Sequence, residues 1–342
     1  MESETLHLQA DNPADIVRAA DLLRTGRLVA FPTETVYGLG ANALDAAAVA
    51  RIFAAKQRPA WDPLIVHLAT ASQLTSVAEL RPELMKRIGS LVRHFWPGPL
   101  TLLLPKTDAV PDAVTAGRPL VGVRLPSHPA ARRLLEEARV PVAAPSANTF
   151  GHTSPTTAQH VLDDLDGRIE AVLDGGATSI GVESTVLDPT QTPMILYRPG
   201  AITASQIEAA TGVAVLVYQP AVDSSAAPQA LPSPGVGIRH YAPRARFALV
   251  DAAESSEETF AALPQLGERL GVLLPQGWKA PADALIYPWG RWDEPESLAS
   301  LLFAGLRALD DLGATMIVAP LPPRGGIGDA LRDRMEKAAR TH

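Results

Sequence analysis

The chain is predicted to be an α/β protein in two domains, a larger N-terminal mixed sheet with helices and a smaller C-terminal α/β domain. Three observations predict this. At 342 residues with 46% apolar side chains, the chain exceeds what one hydrophobic core usually serves. Short apolar runs alternate with helical stretches in both halves. Between the halves, residues 219–234 carry Pro220, Pro228, Pro232 and Pro234 among Ala, Ser and Asp, with no periodic apolar face. The expected division is therefore 1–215, a linker over 216–243, and 244–342.

The first helix is expected over 11–26. Asp11 or Asn12 caps it, Pro13 opens it, Ile16, Ala19, Ala20 and Leu23 mark one face, and Gly26 ends it. A strand follows at 28–31, then a glycine-bearing loop, a helix over 45–55 and a strand at 64–68, in a βαβ-like rhythm. Further apolar runs at 100–104, 120–124, 142–144, 171–173, 185–187 and 194–197 read as strands, and 83–95, 129–138 and 203–210 read as helices. Beyond the linker, strands at 247–250, 271–274, 284–286 and 315–318 alternate with helices near 256–263, 296–309 and 329–339, which suits a small parallel sheet. There is no long internal repeat.

Composition excludes several function classes. With no cysteine, disulfides, thiolate nucleophiles and thiolate zinc sites are ruled out. The formal net charge of −7 gives neither half the bulk character of a basic nucleic-acid module. No apolar run is long enough for a membrane helix, and the polar N-terminus has no apolar signal segment, so a cytoplasmic protein without membrane contact is expected. GxxxxGK[ST], HExxH and GxSxG are absent, and His67, His94, His128, His152, His160 and His240 lack zinc-ligand spacing. Gly326-Ile327-Gly328 is half a dinucleotide fingerprint and reads first as a closely packed helix start.

Four segments carry residues suited to chemistry. Thr33-Glu34-Thr35-Val36-Tyr37-Gly38-Leu39-Gly40 is followed by Lys56-Gln57-Arg58-Pro59, so two cations at a helix end stand beside a hydroxyl- and glycine-rich loop. Lys56 and Arg58 could hold a triphosphate or bicarbonate, or could be ordinary solvated charges favoured by the helix macrodipole. Pro145-Ser146-Ala147-Asn148, with Ser154 beyond it, leaves an apolar strand. Strand ends are common ligand positions, but local turn capping is the competing reading. Glu183-Ser184-Thr185 precedes Arg198-Pro199-Gly200. Arg198 suits a phosphate, Ser184 a substrate carboxylate, and a Ser-Thr pair entering a strand can also be structural. Arg124 closes Val121-Gly122-Val123 and suits a carboxylate. The fourth segment, Ser233-Pro234-Gly235-Val236-Gly237-Ile238-Arg239-His240-Tyr241-Ala242-Pro243, reads as a lid over the first domain's site or as a turn-rich domain start.

These strings, in the order PTETVYGLGAN, KxRP, PLIVH, PSAN, GVEST and RPG from residue 32 to 200, resemble the YrdC-like threonylcarbamoyl-AMP synthase family. SPGVGIRHYAP and the terminal GIGDALRDRMEKAA resemble its longer, two-domain members, so the similarity covers most of the chain. The resemblance implies a YrdC-like twisted open mixed sheet and a Rossmann-like C-terminal domain. It also implies a reaction joining L-threonine, bicarbonate or CO2, and ATP into threonylcarbamoyl-AMP and pyrophosphate, with Mg2+ accompanying ATP and no metal-ligating protein residues assigned. The product would pass to a threonylcarbamoyl-transferase complex acting on tRNA beside the anticodon.

Carried over by position, Thr35, His67, Arg124, Ala144 and Ser184 would line the threonine pocket. Lys56 and Arg58 would be the catalytic cations. ATP would be held by them with Asp62, Leu120, Ser146, Asn148, Ser154, Arg198 and Tyr241. Two positions depart from the family pattern: Asp62 stands where asparagine is common, and Leu120 where threonine is common. A carboxylate at 62 would repel phosphate unless it faces Mg2+ or a neighbouring cation. Lys56 is expected to be an exposed helix-end residue that contributes little to stability. Two other classes are an RNA- or tRNA-binding module without nucleotidyl transfer, and a carbamoyl-transfer domain serving hydrogenase maturation, whose acylphosphatase-like and zinc-finger segments are missing.

Overall fold

The computed structural model describes residues 4–219, 241–250 and 269–340. These form two compact units. One comprises residues 4–150, 155–178 and 183–219, the other residues 151–154, 179–182, 241–250 and 269–340. Two short stretches, residues 151–154 and 179–182, thus belong to the second unit although they precede 215 in the chain. The expected linker and lid over 216–243 and the helix near 256–263 fall largely or wholly outside the described residues.

The first unit is built on one mixed sheet. Its strands are β1 (Leu6–Gln9), β2 (Val29–Pro32), β3 (Tyr37–Asn42), β4 (Ile65–His67), β5 (Leu100–Pro105), β6 (Leu120–Arg124), β7 (Val142–Ala143), β8 (Ala171–Asp174), β9 (Thr185–Asp188), β10 (Met194–Arg198) and β11 (Val215–Val217). Their spatial order is β1-β8-β2-β3-β7-β4-β6-β5-β9-β10-β11. Helix Pro13–Arg24 starts as the sequence implies, with the Asn12 side chain accepting from Ala14 N. Helix Ala46–Lys56 is capped by Asp45, which accepts from the Ala47 and Ala48 amides.

Both faces of the sheet are covered, and β2 shows how. Val29 and Phe31 pack with Ala19, Ala20 and Leu23 of helix Pro13–Arg24 and with Leu134 and Leu135 of helix Pro129–Ala138. Ala30 and the flanking Leu28 face Tyr37, Leu39, Val49 and Ile52 in the other core. Side chains alternate across a strand, so continuous apolar residues mark burial on both sides.

The structure departs from the sequence expectation in three places, the first of them at the site. Residues 37–42, expected within a loop, form β3 antiparallel to β2, so the expected βαβ rhythm is instead an antiparallel pair. The glycines that suggested a loop serve close packing: a Cβ at Gly40 would lie 2.8 Å from Phe31 Cε1 and 2.9 Å from Val142 Cγ1. Strand β1, parallel to β8, and helix Ala158–Leu165 had no assignment, because each is too short to show a period. β11 spans the boundary expected at 215.

The second unit carries a four-stranded sheet in the order β12 (Arg246–Val250), β15 (Met316–Pro320), β13 (Leu270–Leu274) and β14 (Leu285–Pro288). Every pairing is parallel, as expected. Helix Pro295–Asp311 buries Leu298, Leu302, Phe303, Leu306 and Leu309, and helix Gly328–Ala338 begins at the second glycine of Gly326-Ile327-Gly328. No helix among the described residues is long and apolar enough to cross a membrane.

Candidate active site

The first unit gathers two groups of polar side chains. The first centres on Arg124, at the end of β6. Register places it beside His67, because β4 and β6 run parallel with these residues as partners. Its guanidinium donates from Nη1 to Thr35 Oγ1 at 2.9 Å and from Nε to Gly98 O at 3.3 Å, and Nη2 lies 2.7 Å from Glu34 Oε1. Thr35 Oγ1 is also 2.8 Å from Thr33 Oγ1, and Thr33 Oγ1 donates to Val36 O at 2.7 Å, which fixes the turn between β2 and β3. Burial by itself raises the Glu34 carboxyl, but the adjacent Arg124 guanidinium overrides it and holds the group below its usual value. Burial first, and the Arg124 charge second, lower His67 to about 3, so its ring is neutral near pH 7.

Ser184 extends this group. Its Oγ lies 2.8 Å from Thr101 Oγ1, and Arg198 donates to it twice, from Nε to Ser184 O at 3.0 Å and from Nη2 to Ser184 Oγ at 3.1 Å. Parallel pairing of β5 with β9 sets Leu100 opposite Thr185, which brings Thr101 to Ser184. Thr35, His67, Arg124, Ser184 and Arg198 are all buried. A cluster of hydroxyls and guanidinium groups held by one another is fixed before a ligand arrives.

The second group surrounds the end of helix Ala46–Lys56. Lys56 is 1% exposed, against the expected solvated residue. Its Nζ donates to Ser146 O at 2.6 Å and to Asn148 O, two of the carbonyls of the Pro145–Asn148 turn. Helix end and turn fold onto each other, and Phe150 N returns a bond to Lys56 O at 2.9 Å. Burial, then the nearby Arg58 charge, lowers the Lys56 ammonium well below its ordinary value.

Arg58 is equally constrained. It donates to Asp62 O at 3.1 Å and Pro63 O at 2.9 Å, pairs with Asp62 Oδ2 at 2.9 Å, and has its Cζ 5.8 Å from the Phe150 ring centroid. Asp62 is fully buried. The unusual carboxylate therefore faces a cation, one of the two conditions under which it is tolerated beside phosphate.

The Pro145–Asn148 turn joins the two groups. Ala144 N donates to Ile65 O at 2.9 Å, Leu39 N to Pro145 O at 2.8 Å and Ala147 N to Tyr37 O at 2.8 Å. The turn thus lies alongside the start of β3, next to the Thr33–Thr35 turn, and Ala144 sits buried between. Leu120 opens β6, four residues before Arg124, so about 13 Å of extended strand separates them. Ser154 and Tyr241 belong to the second unit. Ser154 is fully buried, and Tyr241 stacks on Phe303 at 5.7 Å with the Arg334 Cζ 5.3 Å from its ring centroid.

Two participants escaped the sequence reading. Glu34 shows itself in the sequence only by its position between Thr33 and Thr35. Thr101 lies in an apolar strand run and gave no signal. Among the described residues no group of three or more His, Asp or Glu side chains could hold a metal ion. The carboxylates of Glu34 and Asp62 are engaged by Arg124 and Arg58, so the site does not fit a protein-built metal centre.

The family described as "Telomere recombination", spanning Sua5, YciO and YrdC, matches residues 21–200, and the one described as "Threonylcarbamoyl-AMP synthase, C-terminal domain" matches residues 202–340. A threonylcarbamoyl-AMP synthase of Pyrococcus abyssi is 44% identical over 329 residues, 94% of this chain and 93% of that protein. The chain belongs to the threonylcarbamoyl-AMP synthase family. A Bacillus subtilis member is also 44% identical, over 96% of this chain and 94% of its own length. In three dimensions the chain is similar to the crystal structure of Pyrococcus abyssi Sua5 complexed with L-threonine, with a TM-score of 0.87, 42% identity and 98% of each chain covered. The similarity extends over both parts of the threonylcarbamoyl-AMP synthase architecture.

Proposed function

We propose that this protein joins L-threonine, bicarbonate or CO2, and ATP to give threonylcarbamoyl-AMP and pyrophosphate. The observation that carries the proposal is the paired arrangement of a buried hydroxyl and guanidinium cluster and a second cluster of two cations on one turn. The first suits an amino acid with a carboxylate and a hydroxyl, the second a polyphosphate.

In the proposed sequence, the threonine nitrogen attacks the carbon of CO2 and loses a proton, giving a carbamate. A carbamate oxygen then attacks the α-phosphorus of ATP, and the bond to the bridging oxygen breaks with release of pyrophosphate. No protein nucleophile is needed. Positioning, charge neutralisation and exclusion of water are sufficient. Thr35, His67, Arg124 and Ser184 line the threonine pocket, with Ala144 supplying its buried wall. Neutral His67 can exchange hydrogen bonds without adding charge. Lys56, Arg58 and Arg198 neutralise the phosphates, with Ser146 and Asn148 beside Lys56, and Arg198 held in the Ser184 group. The ATP roles of Leu120, Ser154 and Tyr241 rest on family resemblance alone, and Asp62 acts through Arg58. Mg2+ enters as the counter-ion of ATP.

The division into a catalytic part, a linker acting as a lid and a C-terminal part is retained as a proposal. So are a cytoplasmic location and delivery of the product to a threonylcarbamoyl-transferase complex acting on tRNA. The test is pyrophosphate release from ATP with bicarbonate, Mg2+ and L-threonine, L-serine or no amino acid. Threonine-dependent release is expected; release indifferent to the amino acid, or none, overturns the proposal.

A further inference from the structure

The second unit has a cavity of its own. Outside the carboxyl ends of its parallel strands, the loops after β13 and β14 border an open cleft of about 420 Å3, lined among the described residues by Gln276, Arg291, Trp292 and Asp293. Ligands of open parallel α/β sheets commonly bind at this edge, and the volume lies in the range of small-molecule sites.

The rim is already ordered. Trp289 N donates to Leu274 O at 2.8 Å and Gln276 N to Gly290 O at 2.7 Å, so the two loops are tied by their backbones. The three tryptophans divide their work. Trp289 is fully buried and its indole N–H donates to Leu298 O at 2.9 Å, so it belongs to the core. Trp292 is only partly buried, lines the cavity, and rests against Trp278 at a centroid distance of 5.0 Å and an interplanar angle of 48°.

Charge narrows the ligand class. Arg291, the cation among the described lining residues, pairs with Asp293 at 2.9 and 3.1 Å and with Glu294 at 3.1 Å. One guanidinium set against two carboxylates favours a neutral ligand over a phosphate. An aromatic face and an exposed primary amide, with both donor and acceptor, are the complement of a planar heteroaromatic ring with a hydrogen-bonding edge.

We propose that Trp292 and Gln276 form a second binding site, in the C-terminal unit, for the neutral base of a nucleoside, with Trp292 stacking on the ring and Gln276 bonding its edge. The site is independent of the proposed synthase reaction and draws on the second unit alone.

Calorimetric titration of the full-length protein tests this with adenosine, AMP and a short oligoadenylate as probes. Saturable adenosine binding is expected, weakened about tenfold or more in Trp292→Ala, largely kept in Trp292→Phe and weakened in Gln276→Ala. Dependence on Trp292 separates this binding from adenine binding elsewhere, and Trp292→Ala is expected to retain threonine-dependent pyrophosphate release. Absence of adenosine binding, or binding unchanged in both Trp292→Ala and Gln276→Ala, overturns the proposal. Tighter Trp292-dependent binding of oligoadenylate than of adenosine also overturns it, because the ligand would then be single-stranded RNA.

Discussion

Arg124 and Glu34 form an ion pair at 2.7 Å inside the first unit, with side chains only 4% and 6% exposed. A charge buried this deeply is kept by its partner, and removing one member strands the other. Glu34→Gln is therefore expected to cost about 3–5 kcal/mol at pH 7. The carboxyl is held below its unfolded value of 4.5, so its contribution is complete above that value and is lost as pH falls through the lower folded value. Urea titrations across pH should show the gap between wild type and Glu34→Gln narrowing below about pH 4.5. A gap independent of pH would count against the pair.

Lys56 should be judged by stability as well as turnover. Because its ammonium satisfies Ser146 O and Asn148 O in the interior, Lys56→Ala should destabilise by about 1–3 kcal/mol and also suppress pyrophosphate release. Denaturant midpoints measured alongside turnover separate the two effects. A fully stable, inactive variant would restore the picture of an exposed cation.

Asp62 is expected to trade ATP affinity for rigidity. Asp62→Asn removes a carboxylate next to the phosphate-binding cations but leaves Arg58 its bonds to Asp62 O and Pro63 O. The KM for ATP should fall, and stability should drop by about 3–5 kcal/mol as the buried Arg58 loses its charged partner. Steady-state kinetics in ATP provide the check, and a raised KM would show that the carboxylate itself is needed.

Gly200 is expected to be irreplaceable by alanine. A Cβ there would lie 2.3 Å from Thr185 N and 2.8 Å from the Ser184 carbonyl carbon, and these are backbone atoms that cannot step aside. Gly200→Ala should cost about 1–3 kcal/mol by overpacking. It should also raise the KM for threonine by displacing Ser184 from Thr101 and Arg198. Unfolding and threonine-dependent kinetics on the same variant would show whether the two losses occur together.

The sequence by itself determined the fold class, the parallel second sheet, most long helices and the residue types of the site. These are local properties: apolar runs, caps such as Asn12 and Asp45, and motifs contiguous along the chain. It misread residues 37–42, since Gly38 and Gly40 signal a loop locally and only the approach of Phe31 and Val142 makes glycine a packing requirement. Tertiary structure alone decided the pairing of residues far apart in the chain. Glu34 meets Arg124, Thr101 meets Ser184, and Lys56 is buried by carbonyls of residues 146 and 148. Whether a charge faces water or a partner depends on which strands are neighbours, and strand order is set by burying both faces of the sheet at once, a condition no single stretch of sequence contains.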